Sequence, residues 1–190
     1  MKTEIITLVD RSGSMSTIAK DAIGGFNTFL KEQKEVKGKA RMTLAIFDNS
    51  FEYLYEAKKL TEAPDLTDRT FIPRGSTALF DSLGKLITDQ ALRIKNEGWA
   101  DKVILCILTD GGENASREFT ISQIKSLIEQ KQGEGWSVVF LAANQDAFAA
   151  GASYGISAAH THSFLSTGEG IRNAYTSISA TVAGIRSKSI

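Results

Sequence analysis

Apolar positions along the chain follow two periods that alternate from one end to the other. Short runs of apolar and β-branched residues predict strands, and longer stretches with an apolar residue every three or four positions predict amphipathic helices. The predicted strands are residues 4–9, 42–47, 51–56, 103–108 and 138–143. The predicted helices are residues 17–36, 79–94, 121–128 and 171–185.

One pair of strands departs from this alternation. Residues 51–56 alternate apolar and charged side chains, and they follow residues 42–47 after the polar turn 48–50. The two runs therefore predict a hairpin whose second strand is antiparallel and lies at a sheet edge. Residues 60–73 have no clear period, and we interpret them as a surface connection.

The remaining strands are separated by helices, which is the pattern of a parallel sheet. Residues 103–108 are apolar throughout, as in strands that are covered on both faces, and we expect them and residues 4–9 at the sheet centre. The predicted fold class is α/β: a doubly wound, mostly parallel central sheet with one antiparallel edge strand and helices on both faces.

Composition adds the scale of the protein and limits its partners. The chain has 190 residues and 42% apolar content, which suits one domain spanning residues 1–190. Its 22 basic and 22 acidic residues give a net charge of zero, so no overall field favours nucleic acid or an anionic membrane. Cys106 is the only cysteine, which excludes an internal disulfide. With no signal-like or membrane-length apolar run, we expect a cytoplasmic protein.

Small oxygen-bearing side chains occur where predicted strands end. Asp10, Ser12 and Ser14 directly follow the first strand. Asp110 ends the fourth strand, and Thr77 precedes the second helix. In parallel sheets the loops at the carboxyl ends of strands converge, and carboxylates with hydroxyls suit hard cations such as Mg²⁺, Ca²⁺ or Mn²⁺.

These residues resemble the von Willebrand factor A (vWA) domain and its metal-ion-dependent adhesion site (MIDAS). That family has the pattern D-x-S-x-S, then a threonine, then an aspartate in a T-D-G turn. The chain matches it at residues 10–14, at Thr77 and at residues 109–111. Residues 108–114 and 143–146 look like those of small stand-alone bacterial or phage members.

The resemblance implies a Rossmann-like vWA fold and a binding function without turnover. It implies a metal site in which Mg²⁺, or Mn²⁺ or Ca²⁺, is held by Asp10, Ser12, Ser14, Thr77 and Asp110. One coordination position would be left for an Asp or Glu of a partner protein. The expected function is thus a metal-dependent protein-interaction module, with a protein partner and with neither nucleic acid nor membrane.

Two alternatives remain open at the level of sequence. The first is a metal-dependent phosphoryl-transfer or hydrolytic enzyme that uses Asp10 or Ser12 as nucleophile. Against it, no general base accompanies the motif, because His160 and His162 are the only histidines and are remote in sequence. The second is a structural domain that binds no ion.

Residues beside the ligands are candidates for contacts with a partner: Arg11, Met15, Arg74, Leu79, Glu113 and Asn114. We expect the two arginines to pair with acids next to the incoming carboxylate. Asp48 is interpreted as a hairpin residue, Glu113 as a solvated loop acid and Cys106 as a packed core residue.

Overall fold

Six strands form one sheet in the part of the chain that the computed structural model describes, residues 1–143 and 147–188. The strands are β1 (Lys2–Asp10), β2 (Lys39–Phe47), β3 (Phe51–Lys59), β4 (Lys102–Thr109), β5 (Ser137–Ala143) and β6 (Thr161–Phe164). Their order across the sheet is β3-β2-β1-β4-β5-β6. All neighbours are parallel except β2 and β3. The predicted hairpin, its edge position and the central place of β1 and β4 are confirmed.

Helices connect the strands and cover the sheet. They are α1 (Ala19–Glu35), α2 (Leu79–Glu97), α3 (Ile121–Gly133), α4 (Ala147–Ser153) and α5 (Gly168–Ser187). A 3₁₀ turn, Gly13–Thr17, precedes α1. Helix α4 has no counterpart among the predicted elements. No helix of the described residues combines the length and the apolar character needed to cross a membrane.

Each face of the sheet has its own hydrophobic core. Strand β1 shows why, because successive side chains of a strand point to opposite faces. Ile5 and Val9 pack with the apolar side chains of α1 and α5. Ile6 and Leu8 pack with those of α2 and α3. The four side chains are fully buried, so β1 is covered on both sides as the predicted doubly wound class requires.

The segment between β3 and α2 is a surface connection, as predicted, but four of its apolar side chains are buried. Asn27 of α1 anchors this segment through two hydrogen bonds to Leu66. The side-chain amide nitrogen of Asn27 donates to the Leu66 carbonyl at 2.9 Å, and its Oδ1 accepts from the Leu66 N–H at 2.8 Å. Apolar side chains on both sides of this anchor are buried in the core under α1 and α5: Leu60, Ala63, Leu66 and Phe71. The segment is non-periodic because a short 3₁₀ turn, Leu60–Glu62, local turns and these side-chain hydrogen bonds, rather than a long helix or a ladder, hold its backbone.

Candidate metal centre

Two aspartates meet at the carboxyl ends of the central strands. Val9 and Leu108 are paired in the β1–β4 ladder, so the residues that follow the two strands emerge side by side. Asp10 ends β1, and Asp110 directly follows β4. The loop before α2 reaches the same edge and brings Thr77, which is 3% exposed.

Hydroxyl groups from two loops surround Asp110. The Ser14 hydroxyl donates to Asp110 Oδ1 at 2.7 Å, and the Ser12 and Ser14 hydroxyl oxygens lie 3.1 Å apart. A Cβ placed on Gly111 would lie 3.6 Å from Thr77 Oγ1 and 3.7 Å from Ser14 Oγ. The Thr77 and Ser14 hydroxyls therefore face the same small space beside Gly111.

Asp10 is a fully buried carboxyl with two local hydrogen bonds. Its Oδ1 accepts from the Ser12 N–H at 2.7 Å, and its Oδ2 accepts from the Thr109 hydroxyl at 2.6 Å. Burial raises the pKa of Asp10, these hydrogen bonds lower it, and the charge of Asp110 raises it again. The resulting pKa is about 6, against 3.8 for an ordinary aspartate.

Asp110 carries a second carboxylate in the same cluster. Burial raises its pKa, and the hydrogen bond from Ser14 opposes that change. Among the ion pairs between described residues, none compensates Asp10 or Asp110 with a basic side chain. The cluster is therefore electrostatically unfavourable by itself and would be stabilised by a cation.

The donor set fits a hard divalent cation. Within residues 1–143 and 147–188, no group of three or more His, Cys, Asp or Glu side chains could hold a metal. A cation at this edge would thus need the serine and threonine hydroxyls together with the two carboxylates. Such an all-oxygen set suits Mg²⁺, Mn²⁺ or Ca²⁺ and is unsuited to soft metals.

Backbone hydrogen bonds join the loop after β1 to the loop before α2. The Arg74 N–H donates to the carbonyl of Arg11 at 2.8 Å, and the Gly13 N–H donates to the carbonyl of Gly75 at 3.1 Å. Gly75 has a φ of +67°, and a Cβ there would lie 2.1 Å from Asn49 Oδ1. A side chain here would strain the backbone and displace the Asn49 side chain, so glycine is favoured at this turn.

The loop before α2 is also joined to the loop after β4. The Thr77 N–H donates to Asn114 Oδ1 at 2.9 Å, and the Asn114 N–H donates to the Thr77 carbonyl at 3.0 Å. We call this pair of hydrogen bonds the Thr77–Asn114 clasp. It fixes the Thr77 backbone relative to the loop that carries Asp110.

Asp48 is a buried anchor of these loops and not simply a hairpin residue. Its Oδ2 lies 3.0 Å from Arg11 Nε and 2.8 Å from Arg74 Nε, and its Oδ1 accepts from the Ser50 N–H at 2.7 Å. Burial would raise the pKa of Asp48, but the hydrogen bonds from Arg74 and Ser50 and the charges of both arginines leave it below its usual value. Arg11 also reaches Glu52 at 3.0 Å.

Glu113 is likewise not a solvated acid. Its carboxylate accepts from the N–H groups of Ala115 and Ser116 and from the Phe80 N–H in the first turn of α2, at distances of 2.6 to 3.0 Å. A carboxylate at a helix N-terminus satisfies free N–H groups and interacts favourably with the helix dipole. Glu113 therefore holds the loop after β4 against α2.

The expected partner surface also needs correction, because several of its residues are buried. Three of its six residues are buried and cannot contact a partner: Arg11, Met15 and Leu79. Arg74 remains accessible, with 59% of its side chain exposed, and Asn114 is also exposed. Arg74 is thus the accessible arginine of the expected pair.

The other candidate residues lie away from this cluster. His162 is in β6, three strands from β1, where its Nε2 lies 3.4 Å from the Thr181 hydroxyl. His160 precedes the same strand. Cys106 is fully buried in β4, as predicted, and burial raises the pKa of its thiol to about 12.

The sequence motif identified the residues that converge, but not those that position them. Ser12, Ser14 and Asp110 are joined by hydrogen bonds, with Asp10 and Thr77 beside them. Four supporting roles were missed: Thr109, Asn114, Asp48 and Glu113. The threonine of the T-D-G turn was a usable signal, whereas nothing local marks the other three. Residues 144–146, part of the segment 143–146 that resembles small stand-alone members of the family, lie outside the described residues.

The fold places the chain among vWA-like structures. No family model matches the sequence, and no curated protein matches it. Solved structures do match. The von Willebrand factor domain of the type V pili tip protein Mfa5 from Porphyromonas gingivalis aligns with a TM-score of 0.69 at 14% identity, covering 99% of this chain and 97% of that one. The chain has a vWA-like α/β fold.

Two further matches are longer proteins. The pilus adhesin SpaC from Lactobacillus rhamnosus GG aligns with a TM-score of 0.71 at 11% identity, covering 95% of this chain and 30% of that one. Proximal thread matrix protein 1 from the mussel byssus, with a zinc-occupied MIDAS motif, gives a TM-score of 0.62 at 14% identity, covering 95% and 46%. This chain therefore spans under half of either protein.

Proposed function

We propose that this chain is a metal-dependent protein-binding module that engages an acidic residue of a partner protein. The ligands of the proposed site are Asp10, Ser12, Ser14, Thr77 and Asp110, and the expected ion is Mg²⁺ or Mn²⁺, with Ca²⁺ as an alternative. The observation that carries the proposal is the convergence of hydroxyls from separate loops on two carboxylates that lack a basic partner.

The charges of this site suit capture of an anion. Two carboxylates balance a divalent cation, and three neutral hydroxyls add ligands without adding charge. A bound ion would supply a Lewis-acidic centre for an incoming carboxylate. Ser14 is exposed, and Arg74, whose backbone contacts the loop that carries Ser14, is exposed as well and would present a positive charge to residues around the captured acid. Arg74 is expected to raise the association rate and specificity.

The enzymatic alternative has less support. As a nucleophile, Asp10 would have to attack from a carboxyl that is fully buried and whose oxygens both accept hydrogen bonds. Ser12 is 2% exposed, and the hydroxyl near it belongs to Ser14, which is not a base. A general base must lie within hydrogen-bond reach of the group that it deprotonates.

The structural comparisons give the proposal a context. Two matching structures are described as a pilus tip protein domain and a pilus adhesin, and one has a zinc-occupied MIDAS motif. Protein binding through a metal is therefore compatible with this fold. A cytoplasmic location and the absence of nucleic-acid and membrane partners stay predictions.

Calorimetric titration of EDTA-treated protein with Mg²⁺ and Mn²⁺ tests the ion. We expect saturable binding that Asp110→Asn abolishes and that Asp68→Asn, a change of an exposed aspartate in another loop, leaves unchanged. No binding at millimolar ion, or equal binding by both variants, would overturn the proposed site. For the partner, capture by the wild-type chain should be lost in EDTA and restored by excess Mg²⁺.

A further inference from the structure

A concave basic pocket lies at the end of the sheet opposite to the candidate metal centre. It has a volume of about 440 Å³ and is formed where β2 begins, β3 ends and α1 and α5 finish. We call it the basal pocket and define it by six lining residues: Lys34, Lys39, Arg41, Lys59, Trp99 and Arg186. Among the described residues, no acidic side chain lines it. The nine-residue strand β1 separates the two ends by about 25 Å.

Like charges face each other across the strands beside this pocket. Arg41 of β2 is directly opposite Lys59 of β3, and Lys2 of β1 is opposite Lys39 of β2. Cross-strand pairs of like charge destabilise a sheet, because their side chains are held about 5 Å apart. Acids of the chain pair with Arg41 and Lys59, and an anion in the pocket would compensate the remaining positive charge of Lys39.

Arg186 adds a buried cation to the pocket wall. It is 5% exposed, and its guanidinium donates to the backbone carbonyls of Gln33 and Val36 and to Gln33 Oε1. Its Nε atom has no hydrogen-bond partner among the described residues. All its acceptors are neutral, so the guanidinium charge is not balanced by a carboxylate. Burying such a charge is unfavourable without a counter-charge nearby.

Protein acids compensate two of the five cations of the pocket. Lys59 pairs with Glu62 at 3.1 Å, and Arg41 pairs with Glu97 at 2.6 Å. Lys34 donates only to the carbonyl of Ala63. The ion pairs of the described residues do not include Lys34, Lys39 or Arg186, which leaves three positive charges uncompensated in a chain whose net charge is zero.

Trp99 holds one of these cations in a defined orientation. The Arg41 guanidinium lies 4.2 Å from the centroid of the Trp99 ring, which is the geometry of a cation–π contact. Stacking fixes the plane of the guanidinium, one nitrogen of which already donates to Glu97, so only its other N–H groups are available to a ligand oxygen. A planar fork of this kind suits phosphate and carboxylate groups.

We propose that the basal pocket binds a small phosphate-bearing anion with three or more negative charges, such as pyrophosphate or a nucleoside diphosphate. The pocket volume is in the range of small-molecule sites. Linked phosphates place several charges in a small space, whereas carboxylates supply one charge each. Several cations around a compact pocket with uncompensated charge therefore favour linked phosphates.

The test measures binding of pyrophosphate and ADP by calorimetry in EDTA, so that the metal centre does not take part. We expect saturable binding and a higher melting temperature with each ligand that binds. The double variant Lys39→Ala/Lys59→Ala should weaken binding by about tenfold or more. Lys58→Ala is the matched control, because Lys58 is adjacent in β3 but does not line the pocket. Binding of either ligand with this pattern supports the proposal.

Other outcomes would overturn it. These are no binding of pyrophosphate or ADP at millimolar concentration, or an equal loss in Lys58→Ala and in the double variant. Tighter binding of a glutamate-rich peptide or of a single-stranded oligonucleotide at the same salt concentration would assign the pocket to another class of ligand. The variants alter exposed lysines, and their folding is checked by circular dichroism.

Discussion

The Ser14 hydroxyl donates a hydrogen bond of 2.7 Å to Asp110 Oδ1, across 96 positions of sequence. Both groups are ligands of the proposed site, and the bond joins the loop after β1 to the loop after β4 without any ion. In this arrangement the Ser14 hydroxyl proton places a partial positive charge against the Asp110 carboxylate. A divalent ion would take over that interaction, so its binding requires the Ser14 hydroxyl to redirect its proton.

Asp110→Asn is expected to stabilise the metal-free protein while abolishing ion binding. The amide keeps an acceptor for Ser14 but removes one of two neighbouring carboxylates, whose pKa values are both raised by burial. The gain in unfolding free energy should be on the order of 1 kcal/mol. Urea denaturation in EDTA measures it, with Asp68→Asn as the control. A less stable Asp110→Asn protein would mean that this carboxylate has a structural role.

Ion binding should weaken as the pH falls through about 6. The pKa of Asp10 is about 6 in the metal-free protein, so a proton competes with the ion below that pH. The apparent affinity for Mn²⁺ is expected to fall by up to about tenfold per pH unit in that range. Titrations between neutral pH and about pH 5 measure this change. A constant affinity would show that Asp10 does not bind the ion as a carboxylate.

The stability of the metal-free protein should change in the opposite direction. The pKa of Asp10 is raised from 3.8 to about 6 on folding, so between these values the folded chain binds more protons than the unfolded chain. Its contribution to the unfolding free energy is therefore most favourable at low pH and declines as the pH rises through this window. Denaturation of wild type and Asp10→Asn in EDTA isolates this contribution. The difference between the two proteins should vary with pH, and a constant difference would contradict the assignment.

Asp48→Asn should be strongly destabilising, by about 3 kcal/mol, because it leaves the buried guanidinium of Arg11 without its buried counter-charge. Glu52→Gln removes the other, half-exposed partner of the same arginine and should cost less than about 1 kcal/mol. Urea denaturation of both variants provides the comparison. Equal effects of the two changes would show that burial of Asp48 is not what stabilises the loops.

Gly75→Ala should impair both stability and ion binding. The positive φ of Gly75 is strained for alanine, and the Asn49 side chain must move to admit a methyl group, so we expect the turn before Thr77 to be disturbed. We expect a loss of about 1–3 kcal/mol and weaker Mn²⁺ binding. Gly112→Ala is the matched control, because it lies in a site loop where a Cβ would meet nothing within 4 Å. If both variants behaved alike, the strain at Gly75 would be unimportant.

The sheet and its main helices were predictable because their apolar positions are periodic. The hairpin of β2 and β3 was predictable because the alternation of residues 51–56 survives in an edge strand. Helix α4 has the sequence AFAAGAS, whose small residues leave no apolar stripe to recognise. Residues 60–73 lie mostly at the surface, as predicted, but their four buried apolar side chains were not predictable, since the segment is anchored by Asn27, over 30 positions away.

The candidate ligands were predictable from a local motif, but their surroundings were not. Asp48 lies in a D-N-S turn. Its burial results from contacts with Arg11, which lies 37 positions before it, and with Arg74, which lies 26 positions after it. Met15 and Leu79 were misjudged because the direction of their side chains depends on the 3₁₀ turn and on the first turn of α2. Sequence spacing specifies which residues reach the site, whereas their exposure is set by tertiary packing.

The Thr77–Asn114 clasp has an evolutionary consequence. It uses the Thr77 backbone and not its hydroxyl, and the neighbouring loop contacts at Arg11 and Gly75 are also backbone bonds. The Thr77 side chain can therefore change with little damage to the scaffold that presents it. A lineage of such chains could lose its ion in one mutational step, keep the fold, and leave the remnant loops available for a new role.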